Sequence, residues 1–410
     1  ENIDLYYKNK PRIFATVPKK HLLFIYPEMM VGGSTTSLLS VLNLIDYNKY
    51  EVDIQFQYGA GPLKDYLPKQ INILPFAYSQ PRQYYKIRKA FSFTSIVKYF
   101  KAKKIGGLAS AQYMQRDIVK FAVRNPVHYD VAISFLELWS LYYLVDKVNA
   151  EKKISWIHVD YKAARLFINL DLKYFNSVDN IVLVSEQCLS NFIKIAPSLI
   201  TKATKIENIL NSDIIRKRSM EALTPQLKKM MDNNKIKFVT VCRISFGDKG
   251  LDRGVRAFNI LKAEGKLEGV IWYIIGDGPD LNRLRAMIEE YRLEQNIILL
   301  GERLNPLNIE KKCDIFFLPS YYEGKPMAVT EAQMLGLVPL ITRFSSADEV
   351  VDNNINGIIC DNSENGILLG LNYAIENIEL VRSKYKCNVL NNDYTNVNEF
   401  RLIEDLFKSE

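Results

Sequence analysis

The sequence predicts an α/β protein in which two doubly wound domains face one another across a cleft. Its length of 410 residues exceeds what one hydrophobic core usually serves. Short β-branched or aromatic runs alternate with longer helical patterns, which is typical of βαβ units and parallel sheets. This alternation stops at a polar stretch over residues 211–235, expected to form loops, and then starts again. The interruption indicates two domains rather than one.

The predicted strands fall into two series. The first covers residues 21–26, 52–58, 71–76, 130–135, 153–159 and 180–185, and the second covers 236–244, 270–278, 296–301, 314–319, 338–342 and 357–360. The series predict an N-terminal domain over 1–208, an interdomain linker region over 209–235, a C-terminal domain over 236–385 and a C-terminal helix over 386–410, which can pack back on the first domain. Ligands of such sheets bind at the carboxyl ends of the strands. A cleft between the domains is therefore the expected site.

Composition favours a globular protein of a reducing compartment. Hydrophobic residues make up 48% of the chain and charged residues 24%, and no run approaches the roughly 18 apolar residues that span a bilayer. The first residues lack the charged-then-apolar pattern of a secretory signal. The five cysteines are scattered, which favours neither a disulfide framework nor a metal centre. With three histidines, a histidine-rich metal site is not expected. These features predict a cytoplasmic protein.

The net charge of +8 comes from one segment, residues 82–124. Eleven Lys and Arg residues stand there against a single acid, Asp117, which gives +10 and leaves about −2 for the rest of the chain. Aromatic and aliphatic residues flank most of these cations, a pattern typical of an amphipathic surface helix that meets anionic lipid headgroups. A solvated helical face and a nucleic-acid patch are the alternatives. We favour membrane contact and expect no nucleic-acid partner.

Two carboxylates, Glu323 and Glu331, flank the predicted start of a helix near Pro326. The free N–H groups of a helix start favour anions such as phosphate. A carboxylate can accept hydrogen bonds from two vicinal hydroxyls, so a ribose, a diphosphate and a hexose would span such a site in that order. In the alternative interpretation, Glu323 is a capping acid and Glu331 a solvated helix residue.

Two further turns between a strand and a helix belong to the same predicted domain. Arg243 and Lys249 lie in a glycine-containing loop after a strand, where they could neutralise a diphosphate or be ordinary loop cations. Gly276 and Gly278 form a tight bend after the next strand, which by itself indicates little.

The first domain offers a glycine loop and a histidine. Gly32 and Gly33 precede a helix whose predicted cap is Ser34 or Thr35. This loop could approach a ligand through its backbone, or it could be a simple helix-entry turn, and it lacks the G-x-G-x-x-G dinucleotide pattern. His158 ends a predicted strand, where both catalytic and structural histidines occur.

Taken together, these residues resemble the retaining glycosyltransferases of family four, which have the GT-B fold of two Rossmann-like domains. The ordered stretches VCRISFGDKG (241–250), IIGDGP (274–279), FFLPSYYEGKPMAVTEAQMLGLVPLIT (316–342) and NGIIC (356–360) carry the resemblance. It covers roughly residues 20–408 and is strongest over 236–360. It implies an N-terminal domain that binds the acceptor and a C-terminal domain that binds a nucleoside-diphosphate sugar, commonly UDP-linked, without a metal or other cofactor.

The resemblance also assigns roles to residues. It implies that Arg243 and Lys249 hold the diphosphate, that Glu331 binds the ribose hydroxyls, and that Glu323 contacts the donor sugar with help from the backbone amides of residues 324–327. The complete donor site it implies comprises Gly32, Gly33, Arg243, Lys249, Gly276, Gly278, Glu323, Gly324, Lys325, Pro326, Met327, Ala328 and Glu331. The implied catalytic groups are Glu323, His158, Arg243 and Lys249, with His158 reaching the transferred sugar.

Two departures from the family pattern bear on specificity. Lys325 and Pro326 stand where the family commonly has an aromatic residue and a second glycine, which leaves the donor sugar open. Residues 246–248 read Phe-Gly-Asp where the family often has Pro-Glu, although the lysine that follows is kept.

The expected function is retaining transfer of a hexose from a UDP-sugar to a glycan acceptor in surface polysaccharide synthesis. The basic segment favours a lipid-linked acceptor and a place at the inner face of the plasma membrane. Retention, as the resemblance implies it, requires no carboxylate pair of the glycosidase type. The alternatives are a GT-B-like nucleotide-sugar epimerase, which would need acid and base groups facing the sugar, and a non-catalytic nucleotide-sugar-binding subunit.

Overall fold

The computed structural model describes residues 19–78 and 93–408, with side chains for 19–78 and 99–408. Its internal contacts divide the chain into two compact units, Glu1–Ile209 with Asn398–Glu410, and Leu210–Val397. Each unit holds one parallel sheet with helices on both faces. No helix among the described residues combines the length and apolar character needed to cross a membrane.

The strands of the first unit are β1 (Lys20–Tyr26), β2 (Tyr50–Phe56), β3 (Asn72–Ile73), β4 (His128–Ser134), β5 (Asn149–Ile157), β6 (Asn180–Leu183) and β7 (Ala203–Lys205). Those of the second unit are β8 (Ile236–Val241), β9 (Val270–Ile275), β10 (Ile297–Gly301), β11 (Ile315–Leu318), β12 (Val338–Thr342) and β13 (Ile358–Cys360). All twelve strands expected from the sequence are present, and β7 is an additional short edge strand.

The helices, in chain order, are α1 (Gly33–Leu44), α2 (Phe93–Ile105), α3 (Ala109–Ile118), α4 (Trp139–Lys147), α5 (Ile168–Asn176), α6 (Glu186–Ile195), α7 (Ser212–Ser219), α8 (Pro225–Met231), α9 (Phe246–Lys249), α10 (Leu251–Ala263), α11 (Leu281–Glu290), α12 (Leu307–Glu310), α13 (Met327–Met334), α14 (Glu364–Glu376), α15 (Ile378–Leu380), α16 (Lys386–Leu390) and α17 (Phe400–Phe407). A π-helical stretch, Val381–Tyr385, joins α15 to α16. Residues 398–410, which include α17, group with the first unit.

Both sheets have the strand order of a doubly wound fold. The first runs β3-β2-β1-β4-β5-β6-β7 and the second β10-β9-β8-β11-β12-β13, and the strand pairs are parallel throughout. In each sheet the strand order reverses at one point, called the switch point. It lies between β1 and β4 in the first sheet and between β8 and β11 in the second. The predicted fold class, two doubly wound α/β domains, is confirmed.

Helices cover both faces of each sheet, so alternate side chains of a strand enter different cores. In β1, Leu23 and Ile25 pack into one cluster, while Phe24 packs into the other. In β11, Phe317 and Phe316 face opposite sides in the same way. Each such side chain, fully buried, contributes about 1.5–3 kcal/mol. The continuous apolar runs seen in the sequence are what a parallel sheet with two covered faces requires.

The stretch expected to be polar loops forms two helices, α7 and α8. Asn211 caps α7, because its side chain accepts a hydrogen bond from the Ile214 N–H. Thr224 caps α8 in the same way through the Leu227 N–H, and Pro225 occupies the first helical position. These caps compensate for weak apolar periodicity, since a cap contributes about 1 kcal/mol to a short helix.

Candidate functional site

Several predicted site residues follow strands at or next to the switch point of their own sheet. In the second sheet this point lies between the neighbouring strands β8 and β11. Arg243 and Lys249 follow β8 and Glu323 follows β11, so they share one edge of the sheet. In the first sheet Gly32 follows β1, and His158 follows β5, one strand beyond the switch point. Ligands of doubly wound sheets bind at such switch points.

Lys249 and Glu323 form an ion pair in the second unit. Lys249 Nζ donates to both carboxylate oxygens of Glu323, at 2.7 and 2.9 Å, and the two side chains are only 21% and 10% exposed. Burial alone would lower the pKa of Lys249, but the Glu323 carboxylate outweighs it and raises the pKa. Ser320 Oγ donates to the same carboxylate at 2.6 Å. Lys249 therefore stays charged at neutral pH, and Glu323 is held in one orientation.

Arg243 is the more exposed of the two cations. Its Nη2 donates to Asp248 Oδ2 at 2.7 Å, and its side chain remains 57% exposed. Burial would raise the pKa of Asp248, but the Arg243 guanidinium outweighs burial and lowers it. A guanidinium with five donors, of which more than half the surface is open, can bind a phosphate group while keeping this bond.

Close contacts between the loops after β8 and β11 bring the ion pair together. The Tyr321 N–H donates to the Asp248 carbonyl at 2.8 Å. Gly250 has φ +60°, and a Cβ added to it would lie 2.4 Å from the Pro319 carbonyl oxygen, so only glycine fits there. The Arg253 guanidinium, which is buried, donates to the same carbonyl and lies 3.6 Å from the centre of the Tyr321 ring.

Gly276 and Gly278 let the loop after β9 pack directly on the loop after β8. Gly276 has φ +147°, and a Cβ there would lie 1.9 Å from the Cys242 carbonyl oxygen. A Cβ on Gly278 would lie 2.2 Å from the Ile244 carbonyl oxygen. The turn therefore shapes the same edge of the sheet that carries Arg243. Its expected approach to a nucleoside stays a prediction.

Helix α13 begins beside this edge. Its first residue is Met327, with Pro326 before it, and among the described residues no side chain caps its first turn. The N–H groups of Met327 and Ala328 are therefore free of a cap and can serve an anion or a sugar hydroxyl. Gly324 and Lys325 lie in the loop that leads to the helix.

The structure does not support the alternative interpretation, in which Glu323 is a capping acid and Glu331 a solvated helix residue. Glu331 is 7% exposed on the second turn of α13, so it is not a solvated helix residue. Glu323 does not cap α13, because its carboxylate is engaged by Lys249 and Ser320 instead. A buried carboxylate in an apolar helix is destabilising unless it has partners, so Glu331 requires polar or charged neighbours at this position.

Sequence reasoning missed three buried charged residues of the second unit. Arg218, Arg253 and Glu310 are 5%, 2% and 0% exposed. Each lies on the buried face of its helix, but other charged residues adjoin it in the sequence, so no local signal distinguishes it from a solvated charge. Burial raises the pKa of the Glu310 carboxyl well above its usual range, and nearby Glu331 raises it further.

In the first unit, Gly32 leaves open space at the start of α1. It is the N-cap of this helix, which begins at Gly33, and a Cβ on Gly32 would have no atom within 4 Å among the described residues. The expected cap by Ser34 or Thr35 is wrong, because both hydroxyls hydrogen-bond the Tyr26 hydroxyl, at 2.8 and 3.0 Å. Packing within the described residues therefore does not require glycine at position 32, and close approach of a ligand stays a prediction for this loop.

His158 is half-buried, and its imidazole is uncharged at neutral pH. Burial lowers its pKa to about 3, against a smaller opposing effect of a hydrogen bond with the Phe135 backbone. The ring packs against the Phe135 ring at 5.1 Å between centroids, and the backbone N–H of His158 donates to Glu137 Oε2 at 3.1 Å. Among the described residues, no group hydrogen-bonds its Nε2. His158 can thus offer a neutral hydrogen-bonding group but no positive charge.

A possible set of metal ligands, His21, Glu51 and Asp53, lies at the amino ends of β1 and β2. His21 Nε2 is 3.0 Å from Asp53 Oδ2, and the Asp53 carboxylate also accepts hydrogen bonds from Tyr129 at 2.9 Å and Asn72 at 2.7 Å. Protein donors therefore satisfy this carboxylate without an ion. The predicted independence of a metal stays a prediction.

Comparison with known proteins gives a consistent picture of the second unit. Residues 225–385 match the family described as "Glycosyl transferases group 1". This range contains every donor-site residue predicted in the second unit, from Arg243 to Glu331.

Two curated relatives match parts of the chain. A Campylobacter jejuni protein named N-acetylgalactosamine-N,N'-diacetylbacillosaminyl-diphospho-undecaprenol 4-alpha-N-acetylgalactosaminyltransferase is 27% identical over 225 residues, 54% of this chain and 55% of the relative. An Escherichia coli protein named UDP-Gal:alpha-D-GlcNAc-diphosphoundecaprenol alpha-1,3-galactosyltransferase is 34% identical over 92 residues, 22% of this chain and 24% of the relative. The chain spans about half, or less, of the length of the curated relatives it matches.

A solved structure, that of Anabaena HepE in complex with UDP and glucose, superposes with a TM-score of 0.69 at 14% identity, over 95% of this chain and 100% of HepE. Identity this low shows the fold alone. Residues 225–385 are therefore similar to the glycosyl transferases of group 1, and the chain has the GT-B fold, which confirms the resemblance to family-four GT-B glycosyltransferases that the motifs indicate.

Proposed function

We propose that this chain is a retaining glycosyltransferase that moves a hexose from a UDP-sugar to a lipid-linked glycan acceptor in surface polysaccharide synthesis. The observation that carries the proposal is the contact between Lys249 and Glu323 at the switch point of the second sheet. Beside this pair lie the exposed guanidinium of Arg243 and the uncapped first turn of α13. A charged diphosphate and a hydroxyl-rich sugar are the ligands that suit such a combination.

The proposed donor site assigns one task to each group. Arg243 and Lys249 bind the diphosphate, and Glu331 accepts hydrogen bonds from the ribose hydroxyls. Glu323 and the amides of residues 324–327 bind the transferred sugar. The name of the Escherichia coli relative specifies UDP-galactose, and the HepE structure contains UDP, which supports UDP as the nucleotide.

The proposed chemistry needs stabilisation of the leaving diphosphate more than acid catalysis by a carboxyl. Lys249 stays charged because Glu323 raises its pKa, so it can neutralise charge as the sugar–phosphate bond breaks. The acceptor hydroxyl attacks from the face that the diphosphate leaves, and a phosphate oxygen takes its proton. In this scheme the protein supplies the positive charge through side chains and works without a metal.

His158 contributes a neutral hydrogen bond in this proposal. Its pKa of about 3 keeps the imidazole uncharged at any physiological pH. A neutral ring nitrogen without a protein partner can hydrogen-bond a sugar hydroxyl, whereas an imidazolium would compete with the cations for the diphosphate. We therefore assign His158 to the transferred sugar rather than to UDP.

The acceptor and the membrane are proposed from the basic segment and from the relatives' names. Both relatives are named for undecaprenol-diphosphate-linked substrates. Residues 82–92 of the segment, and the side chains of 93–98, lie outside the described residues. In the described part, Lys101, Lys103 and Lys104 on α2 are exposed beside Phe100, which is 57% exposed. Cations next to an exposed aromatic side chain favour binding to an anionic bilayer surface. We therefore propose that the protein is a cytoplasmic enzyme at the inner face of the plasma membrane.

A UDP-release assay tests the proposal. The protein is incubated with a panel of UDP-hexoses, each with and without undecaprenyl-diphosphate-linked sugar acceptors. We expect UDP release that depends on one donor and one acceptor, and a product whose new bond keeps the anomeric configuration of the donor. Conversion of the donor without any acceptor would identify an epimerase or a hydrolase, and binding without turnover over the whole panel would identify a binding subunit.

A further inference from the structure

A layer of buried charge lies in the second unit where helices α7, α12 and α13 pack together. It consists of Arg218 on α7, Glu310 on α12 and Glu331 on α13, which are 5%, 0% and 7% exposed. Charged side chains are almost never this deeply buried unless they are paired. We call these three residues the buried charged layer.

Apolar contacts fix the position of this layer. Ile215, Leu307 and Met327, one from each helix, belong to the same buried cluster. Each precedes a member of the buried charged layer by three or four positions, which is one helical turn. The three charged side chains therefore lie on the same faces of their helices as the three apolar ones, and they form the next layer of the same contact.

The buried charged layer is anchored to the backbone on its cationic side. Arg218 Nη2 donates to the Leu304 carbonyl at 2.6 Å, and Asn305 Nδ2 donates to the Arg218 carbonyl at 2.7 Å. These bonds tie the end of α7 to the loop that leads into α12. The guanidinium is thus held in place as the positive member beside two acids.

Glu310 is the unusual member. Among the described residues, no N–H or O–H group donates to either of its carboxyl oxygens, and both atoms are inaccessible to solvent. Burial and the neighbouring Glu331 raise its pKa well above the usual range, while Arg218 opposes them. Glu310 therefore keeps its proton at neutral pH, and a protonated carboxyl is a hydrogen-bond donor.

We propose that Glu310 is a positioning residue that acts through Glu331, by donating its carboxyl O–H to one oxygen of the Glu331 carboxylate. This bond fixes the direction in which Glu331 offers its remaining lone pairs to two vicinal hydroxyls. The inference rests on the proposed function, in which Glu331 binds the ribose. It adds the source of that residue's orientation: a protonated acid on one side and the charge of Arg218 in the same layer.

A packing role alone does not account for an acid at this position. Leucine or methionine would fill similar volume in α12, whose other buried residues include Leu307 and Ile309. A buried carboxyl left without a partner destabilises the fold by the full cost of its desolvation. Its presence is explained if the hydrogen bond it makes is used by a ligand-binding group.

The test compares UDP with 2′,3′-dideoxy-UDP, which lacks the ribose hydroxyls. Calorimetry gives the ratio of the two dissociation constants for the wild type and for two variants of similar side-chain volume, Glu310→Gln and Glu310→Met. Glutamine keeps a donor at this position and methionine does not. An exposed acid of the same unit, changed by Glu290→Met, is the matched control.

We expect Glu310→Gln and the control to keep the wild-type preference for UDP. Glu310→Met should reduce this preference by roughly tenfold while leaving the affinity for the dideoxy ligand unchanged, because only contacts to the hydroxyls are affected. A wild-type preference retained in Glu310→Met, or lost in Glu310→Gln, would overturn the inference. If the methionine variant does not fold, Glu310→Asp, which withdraws the carboxyl by one methylene, replaces it under the same criterion.

The two proposals fail in different ways. A wild-type protein that binds UDP and the dideoxy ligand equally would refute the ribose-binding role of Glu331, and with it both proposals at this site. A wild-type protein that prefers UDP, together with variants whose preference does not change, would refute the role of Glu310 alone.

Discussion

The switch points of the two sheets have the same topology, but the side chains described near them differ: they are charged in the second unit and neutral in the first. In the second unit, Lys249, Glu323 and Arg243 are charged and form ion pairs. In the first unit, Tyr26 at the end of β1 hydrogen-bonds with hydroxyl groups, and His158, one strand beyond the switch point, is neutral. A doubly wound sheet thus provides a place for a ligand, while the residues after each strand decide whether that ligand is ionic or neutral.

The glycines of the loops after β9 and β1 also differ between the two units. Gly276 in the second unit is required by backbone packing, since a Cβ there would lie 1.9 Å from a carbonyl oxygen. Gly32 in the first unit has open space around the same position and an extended φ of 167°. One glycine therefore serves the fold, and the other is free to serve a ligand.

The largest expected effect concerns this pair of glycines. Gly276→Ala should lower the free energy of unfolding by more than about 3 kcal/mol, because backbone must move and φ +147° is strained for alanine. Gly32→Ala should change it by less than about 0.5 kcal/mol. Urea unfolding of both variants measures the difference. Equal destabilisation would remove the distinction between the two loops.

The next effect concerns the ion pair. Lys249→Ala should weaken UDP binding about 100-fold, because it removes a charge-assisted bond to the diphosphate and leaves Glu323 as an unpaired negative charge beside it. Calorimetry with UDP measures this loss. The control is Lys229→Ala, an exposed lysine of α8 in the same unit, and His158→Gln should also leave UDP affinity unchanged. If His158→Gln weakened UDP binding as much as Lys249→Ala, the assignment of ionic and neutral roles would be wrong.

A smaller effect is expected at the membrane. Replacing Lys103 and Lys104 by alanine should weaken binding to phosphatidylglycerol vesicles roughly thirtyfold, because each of the two cations near an anionic surface contributes about 1 kcal/mol. The matched control replaces the adjacent exposed lysines Lys228 and Lys229, which changes the net charge equally. Vesicle co-sedimentation at low salt is the measurement. Similar losses in both double variants would indicate that net charge, and not this helix, governs the association.

The smallest effect, measured per pH unit, is a pH dependence of stability. The pKa of His158 is about 3 in the folded protein, below the roughly 6.5 of an exposed histidine. The unfolded chain therefore binds more protons between these values, and the free energy of unfolding falls as the pH drops through that window. We expect the wild type to lose about 1 kcal/mol per pH unit between about pH 6 and pH 4, relative to His158→Gln. If the two proteins lost the same free energy of unfolding as the pH fell, folding would not lower the pKa of His158.

The strands and their order were accessible from the sequence because buried parallel strands have a strong local pattern. Runs such as Ile315–Leu318 and Val338–Thr342 are apolar without interruption and lie between helical patterns. The helices α7 and α8 were missed for the opposite reason. Their apolar periodicity is weak, and Asn211 and Thr224 were not recognised as caps.

The charged site was only partly accessible from the sequence. Motif order identified Arg243, Lys249 and the two glutamates as a group, but not that Lys249 and Glu323 touch. Glu310 could not be connected to Glu331, since no local pattern shows that helices separated along the chain share one buried layer. Contacts of this kind depend on tertiary packing.

A crystal structure of the protein with UDP tests the central claim most directly. We expect diphosphate oxygens within roughly 3 Å of Lys249 Nζ and of the Arg243 guanidinium, with the ribose hydroxyls hydrogen-bonded to Glu331. UDP bound elsewhere, with the contact between Lys249 and Glu323 unchanged and both residues distant from the ligand, would contradict it.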